Sequence, residues 1–150
     1  EIASCLVGSE MCIETDQFLG TVSAVKKGAV NAEVILDIGN GAELAAIITN
    51  DSADHLALEV GSEAYALVKA QWIILTVETN FKTSARNSLT GTVVRCQEGA
   101  VNAEVVIELP GGKTVASIIT NESVKTLGLK EGLRATAMIK ASHIILAVPA

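Results

Sequence analysis

Gly28-Ala29-Val30-Asn31-Ala32-Glu33-Val34 recurs unchanged as Gly99-Ala100-Val101-Asn102-Ala103-Glu104-Val105. The same shift of 71 residues carries Gly20-Thr21-Val22 onto Gly91-Thr92-Val93, and Ile47-Ile48-Thr49-Asn50 onto Ile118-Ile119-Thr120-Asn121. It also carries Lys69-Ala70 onto Lys140-Ala141, and Ile73-Ile74-Leu75 onto Ile144-Ile145-Leu146. Matches kept in one register without gaps mean two copies of one structural unit. Two copies are too few for a solenoid, so each is expected to form a small domain.

Within each copy the apolar residues have the period of strands. Val30, Ala32, Val34, Leu36 and Ile38 alternate with Asn31, Glu33, Ile35 and Asp37, the pattern of a half-buried strand. Asn40-Gly41, matched by Pro110-Gly111-Gly112, reads as a hairpin turn into a third strand over residues 43–49. Short helices are expected to start at Thr49-Asn50-Asp51-Ser52 and at Thr120-Asn121-Glu122-Ser123, where small polar side chains satisfy free N–H groups. After the turns at Gly61 and Gly132, the first copy closes with strands over residues 64–69 and 72–77. Five short strands with a helix before the fourth predict an all-β protein of two tandem OB-like five-stranded barrels, each with a short helix. The repeats span residues 16–79 and 84–150, with residues 80–83 as a polar linker. Residues 1–15 match nothing in the second copy and read as a poorly ordered or foreign leader.

Composition excludes several classes of function. The formal net charge is −6, whereas a general nucleic-acid surface needs clustered Lys and Arg. One Trp, one Tyr and two Phe leave few platforms for stacking bases, so the core must be aliphatic. No apolar run approaches the roughly 20 residues of a membrane span, and no signal peptide is evident. Cys5, Cys12 and Cys96 have no metal-ligand spacing and read as reduced thiols of a cytosolic protein. His55 and His143 stand in different copies without a ligand partner nearby and read as structural or surface residues.

The polar groups that stand out are hydrogen-bond donors. Arg86 has a planar fork of donors, with the Ser84 hydroxyl two residues away at the join of the copies. Thr49 with Ser52, and Thr120 with Ser123, mark the helix starts, where capping explains them as well as an anion does. Lys69-Ala70 and Lys140-Ala141 end apolar strands, where a lysine either reaches for solvent or meets a ligand. Asn31 and Asn102 hold the geometry of the repeated turn or offer an amide. No nucleophile–base pair accompanies these groups and there is no phosphate-binding loop. The set reads as an oxyanion receptor and not as an enzyme.

The combination of Ser84-Ala85-Arg86-Asn87, the Gly-Thr-Val and Gly-Ala-Val-Asn-Ala-Glu-Val repeats, Ile-Thr-Asn-Glu-Ser and Ile139-Lys140-Ala141-Ser142-His143-Ile144 resembles the molbindin (Mop) family. The resemblance runs from about Phe18 to Ala150. It implies cytoplasmic storage or buffering of molybdate or tungstate in a trimer, with sites between neighbouring subunits and no side chain coordinating the metal directly. Carried over by position, Ser84, Arg86, Lys140 and the Ala141 amide form one side of a site. Thr49 with Ser52, and Thr120 with Ser123, form the opposite sides, with Lys69 and Ala70 acting as Lys140 and Ala141 do. The same unit also serves as the ligand-sensing domain of molybdate-responsive transcription regulators and as an accessory domain of transporter ATPases. The first copy departs from the pattern, with Ile13 and Thr15 at the places of Ser84 and Arg86 and the carboxylates Glu14 and Asp16 beside them. Weak sites are expected there.

Overall fold

The structure, a computed structural model, describes residues 15–78 and 80–149. The first copy supplies β1 (Thr15–Lys27), β2 (Asn31–Gly39), β3 (Ala42–Thr49), α1 (Asn50–His55), β4 (Glu63–Lys69) and β5 (Ile74–Thr76). The second supplies β6 (Asn87–Glu98), β7 (Asn102–Glu108), β8 (Thr114–Thr120), α2 (Asn121–Leu127), β9 (Arg134–Ile139) and β10 (Ile145–Ala147). A single 3-10 turn, Ala70–Trp72 or Ala141–His143, precedes the last strand of each copy. The fold is all-β, with two OB-like five-stranded units and a short helix in each copy.

The strand order was not legible in the sequence. The sheets run β10-β4-β1-β2-β3 and β5-β9-β6-β7-β8, so each copy gives its last strand to the other. Ile145 pairs with Leu67 and Ile74 pairs with Met138, both antiparallel. The 3-10 turn after β4 makes the exchange possible, because it takes the chain off its own sheet and across β8 of the other copy. Trp72, expected in the closing strand, lies in this turn. Val30, expected on the buried face of β2, lies before that strand and is 70% exposed. Thr15, expected in the leader, begins β1 and pairs with Lys69; the rest of that leader lies outside the described residues.

Alternation decides which side chains meet. Ala32, Val34, Leu36 and Ile38 of β2 are buried, and so are Ala103, Val105 and Ile107 of β7. Apart from Ala32, they make with Phe18, Leu44, Val93, Val115 and Ile139 a core continuous across both copies. Each buried Val, Leu, Ile or Phe among them stabilises the fold by about 1.5–3 kcal/mol relative to exposure. The β2–β3 hairpin turns on Asn40 and Gly41 at φ 55° and 75°, the pair of positive values that a tight two-residue hairpin requires. Gly91 is a glycine for a different reason. A methyl group there would run into the main-chain carbonyl of Glu108, and one on Gly20 would come within 2.8 Å of the Asp37 oxygen.

Two corresponding side chains join the copies. Ala45 in the edge strand β3 directs its N–H and C=O away from β2, and the buried amide of Asn87 meets both. The Ala45 N–H donates to Asn87 Oδ1 at 2.7 Å, and Asn87 Nδ2 donates to the oxygens of Ala45 at 2.9 Å and Ile139 at 3.2 Å. A side-chain amide thus does for an edge strand what a neighbouring strand would do. In the first copy the corresponding residue is Asp16, whose Oδ1 accepts from the Ala116 N–H at 2.8 Å.

Candidate functional site

The site residues fall into two kinds of half-set. In the first, the register pairing Asn87 with Ile139 puts the next residues, Arg86 and Lys140, at the same end of β6 and β9. Ser84 and Arg86 are exposed, in a loop shaped by the Ala85 N–H donating to Thr83 Oγ1 at 3.1 Å. Lys140 is exposed and Ala141, at the start of its 3-10 turn, is buried. That turn packs on β3 of the first copy. Arg86 is ion-paired with Glu33 of β2, a partner that its sequence position does not reveal. Any anion that takes the guanidinium has to compete with this carboxylate or share the donors with it.

The second kind is the helix start. Thr49 caps α1 by accepting from the Ser52 N–H at 3.1 Å, and its own hydroxyl donates to Ser52 Oγ at 2.9 Å. Thr120 and Ser123 repeat this at 3.1 and 2.8 Å. The capping role weighed from the sequence is therefore real. It does not exhaust the pair, because the serine oxygen accepts the threonine proton and keeps its own proton for another acceptor. A groove of about 540 Å³ runs beside Thr49 and Ser52, with Ile144, Ile145 and Leu146 of the other copy as its far wall. Neither Arg86 nor Lys140 lines it.

The first copy's counterparts differ in kind. Lys69 lies over the Trp72 ring at 5.6 Å from its centre, and Trp72 meets His143 with ring centres 4.9 Å apart. Trp72 and His143 are at corresponding positions, and sequence reasoning passed over both as site neighbours. Their shared offset of 71 was the signal that could have paired them. Ile13, Glu14, Cys5 and Cys12 lie outside the described residues. Asp16, expected beside a bound dianion, is instead turned inward to the seam between copies and is 8% exposed. Burial pushes its carboxyl up to about 7; the Ala116 hydrogen bond works against this and the nearby Glu104 carboxylate adds to it.

The groups of the two half-sets are guanidinium, ammonium, hydroxyl and main-chain amide, a chemistry suited to holding an oxyanion by charge-assisted hydrogen bonds. Among the described residues no three His, Cys, Asp or Glu side chains gather as they would around a metal ion. Among the same residues no helix is long and apolar enough to cross a membrane.

Comparison with known proteins places the chain in a family. The TOBE domain model matches twice, over residues 15–75 and 83–146. The molybdenum transport protein ModE of Azotobacter vinelandii is 44% identical over 133 residues, which are 89% of this chain and 49% of that protein. The molybdenum-pterin-binding protein MopA of Rhodobacter capsulatus is 44% identical over 130 residues, 86% of this chain and 49% of that protein. The chain thus spans about half the length of these curated relatives. Among solved structures, the cytoplasmic molybdate-binding protein ModG, in a crystal form with molybdate bound, superposes with a TM-score of 0.87 at 52% identity. That match covers 89% of this chain and 96% of the other. With two matched domains, the same fold and close relatives along most of its length, the chain belongs to the TOBE family as a two-repeat, Mop-type member.

Proposed function

We propose that this protein binds molybdate or tungstate, without catalysis, and serves as a cytoplasmic store or buffer for the oxyanion. The likeness to molybdate-bound ModG, at 52% identity over 89% of the chain, carries this reading. Ser84, Arg86, Lys140 and the Ala141 amide form one side of a site. Thr49 with Ser52, or Thr120 with Ser123, forms the other, and Lys69 with Ala70 repeats the roles of Lys140 and Ala141. Repeats spanning residues 16–79 and 84–150 belong to the same reading.

Each half-set is too small to hold a dianion alone, so the sites are completed between chains of a homotrimer. The exposed apolar residues support assembly, since several occur in corresponding pairs. Val30 and Val101 are each 70% exposed, and Ile74 and Ile145 are 61% and 56% exposed. Matched apolar patches of this kind are what symmetric association buries. Calorimetric titration with molybdate, tungstate, sulfate and phosphate, with sedimentation of the same samples, tests the reading. Tight binding of the two larger anions by a trimer is expected. A monomer binding them at full stoichiometry would refute the shared sites.

A second reading is favoured by one observation. The Yersinia pestis transcriptional regulator ModE is 34% identical over 133 residues, which are 51% of that protein. A ligand-sensing half of a regulator has the same two repeats, and so does an accessory part of a transporter ATPase. A DNA-binding segment encoded directly ahead of Glu1 would decide for the regulator.

A further inference from the structure

Asp16 and Asn87 correspond in the repeat, yet only the amide fills its place in a single protonation state. Asn87 gives Ala45 an acceptor and a donor together. Asp16 gives Ala116 the acceptor, while its Oδ2 is buried without a hydrogen-bond partner among the described residues. The carbonyls that correspond to those of Ala45 and Ile139 belong to Ala116 and Val68, and a carbonyl can only accept. An ionised Oδ2 has no proton to offer them.

We propose that Asp16 is a proton-operated clasp between the two copies. In the neutral form, Oδ2–H donates to the Ala116 carbonyl while Oδ1 accepts the Ala116 N–H, reproducing the two-point grip of Asn87 on Ala45. Release of the proton to solvent leaves one hydrogen bond and sets a buried carboxylate against a carbonyl. Burial and the Glu104 carboxylate bias the clasp towards the closed form, and the cations nearby work against it. Glu104 of β7 is the nearby acid, and it is tied to Arg95 of β6 at 3.5 Å. Lys69 follows Val68 on β4 and lies opposite Thr15, its ammonium over the Trp72 ring. On β8, Val115, Ala116 and Ser117 carry no titratable group, and the exchanged strand β10 carries none either.

The direction of the pH effect follows from the raised carboxyl. Its folded value is about 7, against 3.8 for an unperturbed aspartate. The stabilising contribution is complete below the lower value, and it is lost as pH rises through the higher one. Between pH 6 and 8 the folding equilibrium constant should drop about tenfold on this account, and then level off. Asp16→Asn holds the clasp closed at every pH.

The test compares urea unfolding of the wild type and Asp16→Asn from pH 5 to 9, at fixed chain concentration and without any oxyanion. The expected result is a ratio of their stabilities that grows about tenfold between pH 6 and 8 in favour of the variant. Identical pH profiles would overturn the proposal. The carboxyl carbon of Asp16, followed by NMR in the wild type, gives a reading that needs no variant. A titration midpoint near 7 supports the clasp, and one below 5 overturns it. Because no ligand is present, failure here leaves the oxyanion reading untouched, and the reverse also holds.

Discussion

Replacing Asn87 with alanine should be among the most damaging single changes in the chain. Asn87 is 1% exposed and makes three hydrogen bonds, two of them to Ala45 in an edge strand of the other copy. Without the amide, the Ala45 N–H and C=O stay buried at the seam with nothing to satisfy them. An orphaned buried polar group costs about 1–3 kcal/mol, so the two together cost roughly 2–6 kcal/mol. The cavity left by the side chain adds to this. For a domain of this size, 1 kcal/mol corresponds to about 2–4 °C, so the melting temperature should fall by roughly 4–24 °C. Chemical and thermal unfolding at fixed chain concentration measure it, since association would otherwise shift the midpoint. Asn87→Asp keeps the acceptor for the Ala45 N–H and loses the donor. Its loss should be smaller at low pH and grow as the carboxyl ionises. A cost under about 1 kcal/mol for Asn87→Ala would mean that water serves Ala45 equally well and that the side-chain amide does not hold the two copies together.

Arg86→Ala should weaken molybdate binding at the sites it serves by about 2–4 kcal/mol, as losing one partner of a desolvated charge pair does. Glu33→Gln frees the same guanidinium and should tighten binding, and calorimetry on both variants reads the pair of effects. Gly91→Ala forces a methyl group against the Glu108 carbonyl and should cost more than Gly20→Ala, whose nearest obstacle is 2.8 Å away. Equal unfolding midpoints for the two glycine variants would contradict the close approach of β6 to β7. Trp72 is the single tryptophan and it adjoins Lys69, so its emission should change when an oxyanion binds at Lys69 and Ala70. A titration complete by calorimetry but silent in fluorescence would argue against binding at Lys69 and Ala70.

The strands and helix starts were legible because a 71-residue repeat shows each pattern twice. Thr49 and Thr120 cap their helices as the small polar residues suggested. The exchange of β5 and β10 left no mark, for a plain physical reason. Ile73-Ile74-Leu75 and Ile144-Ile145-Leu146 are identical, so either strand satisfies either edge and periodicity cannot choose between them. Asp16 was misplaced because a carboxylate in a polar stretch reads as exposed. Only the partner strand, β8, reveals that it faces inward. The Arg86–Glu33 pair was hidden likewise, because it joins residues from different copies.

The crossed strands also set an order of events during synthesis. The first sheet ends on β10, so β4 keeps an unpaired edge until the second copy's last strand has been made. Neither half can finish alone, and the nascent first half exposes a hydrogen-bonding edge that invites pairing with another chain. The chain must bring residues from far apart in sequence together before either sheet is complete, which makes folding slow. A nascent first half that meets another nascent chain can borrow β10 from it. Crowded synthesis should therefore favour interlinked chains that have the native contacts and the wrong connectivity.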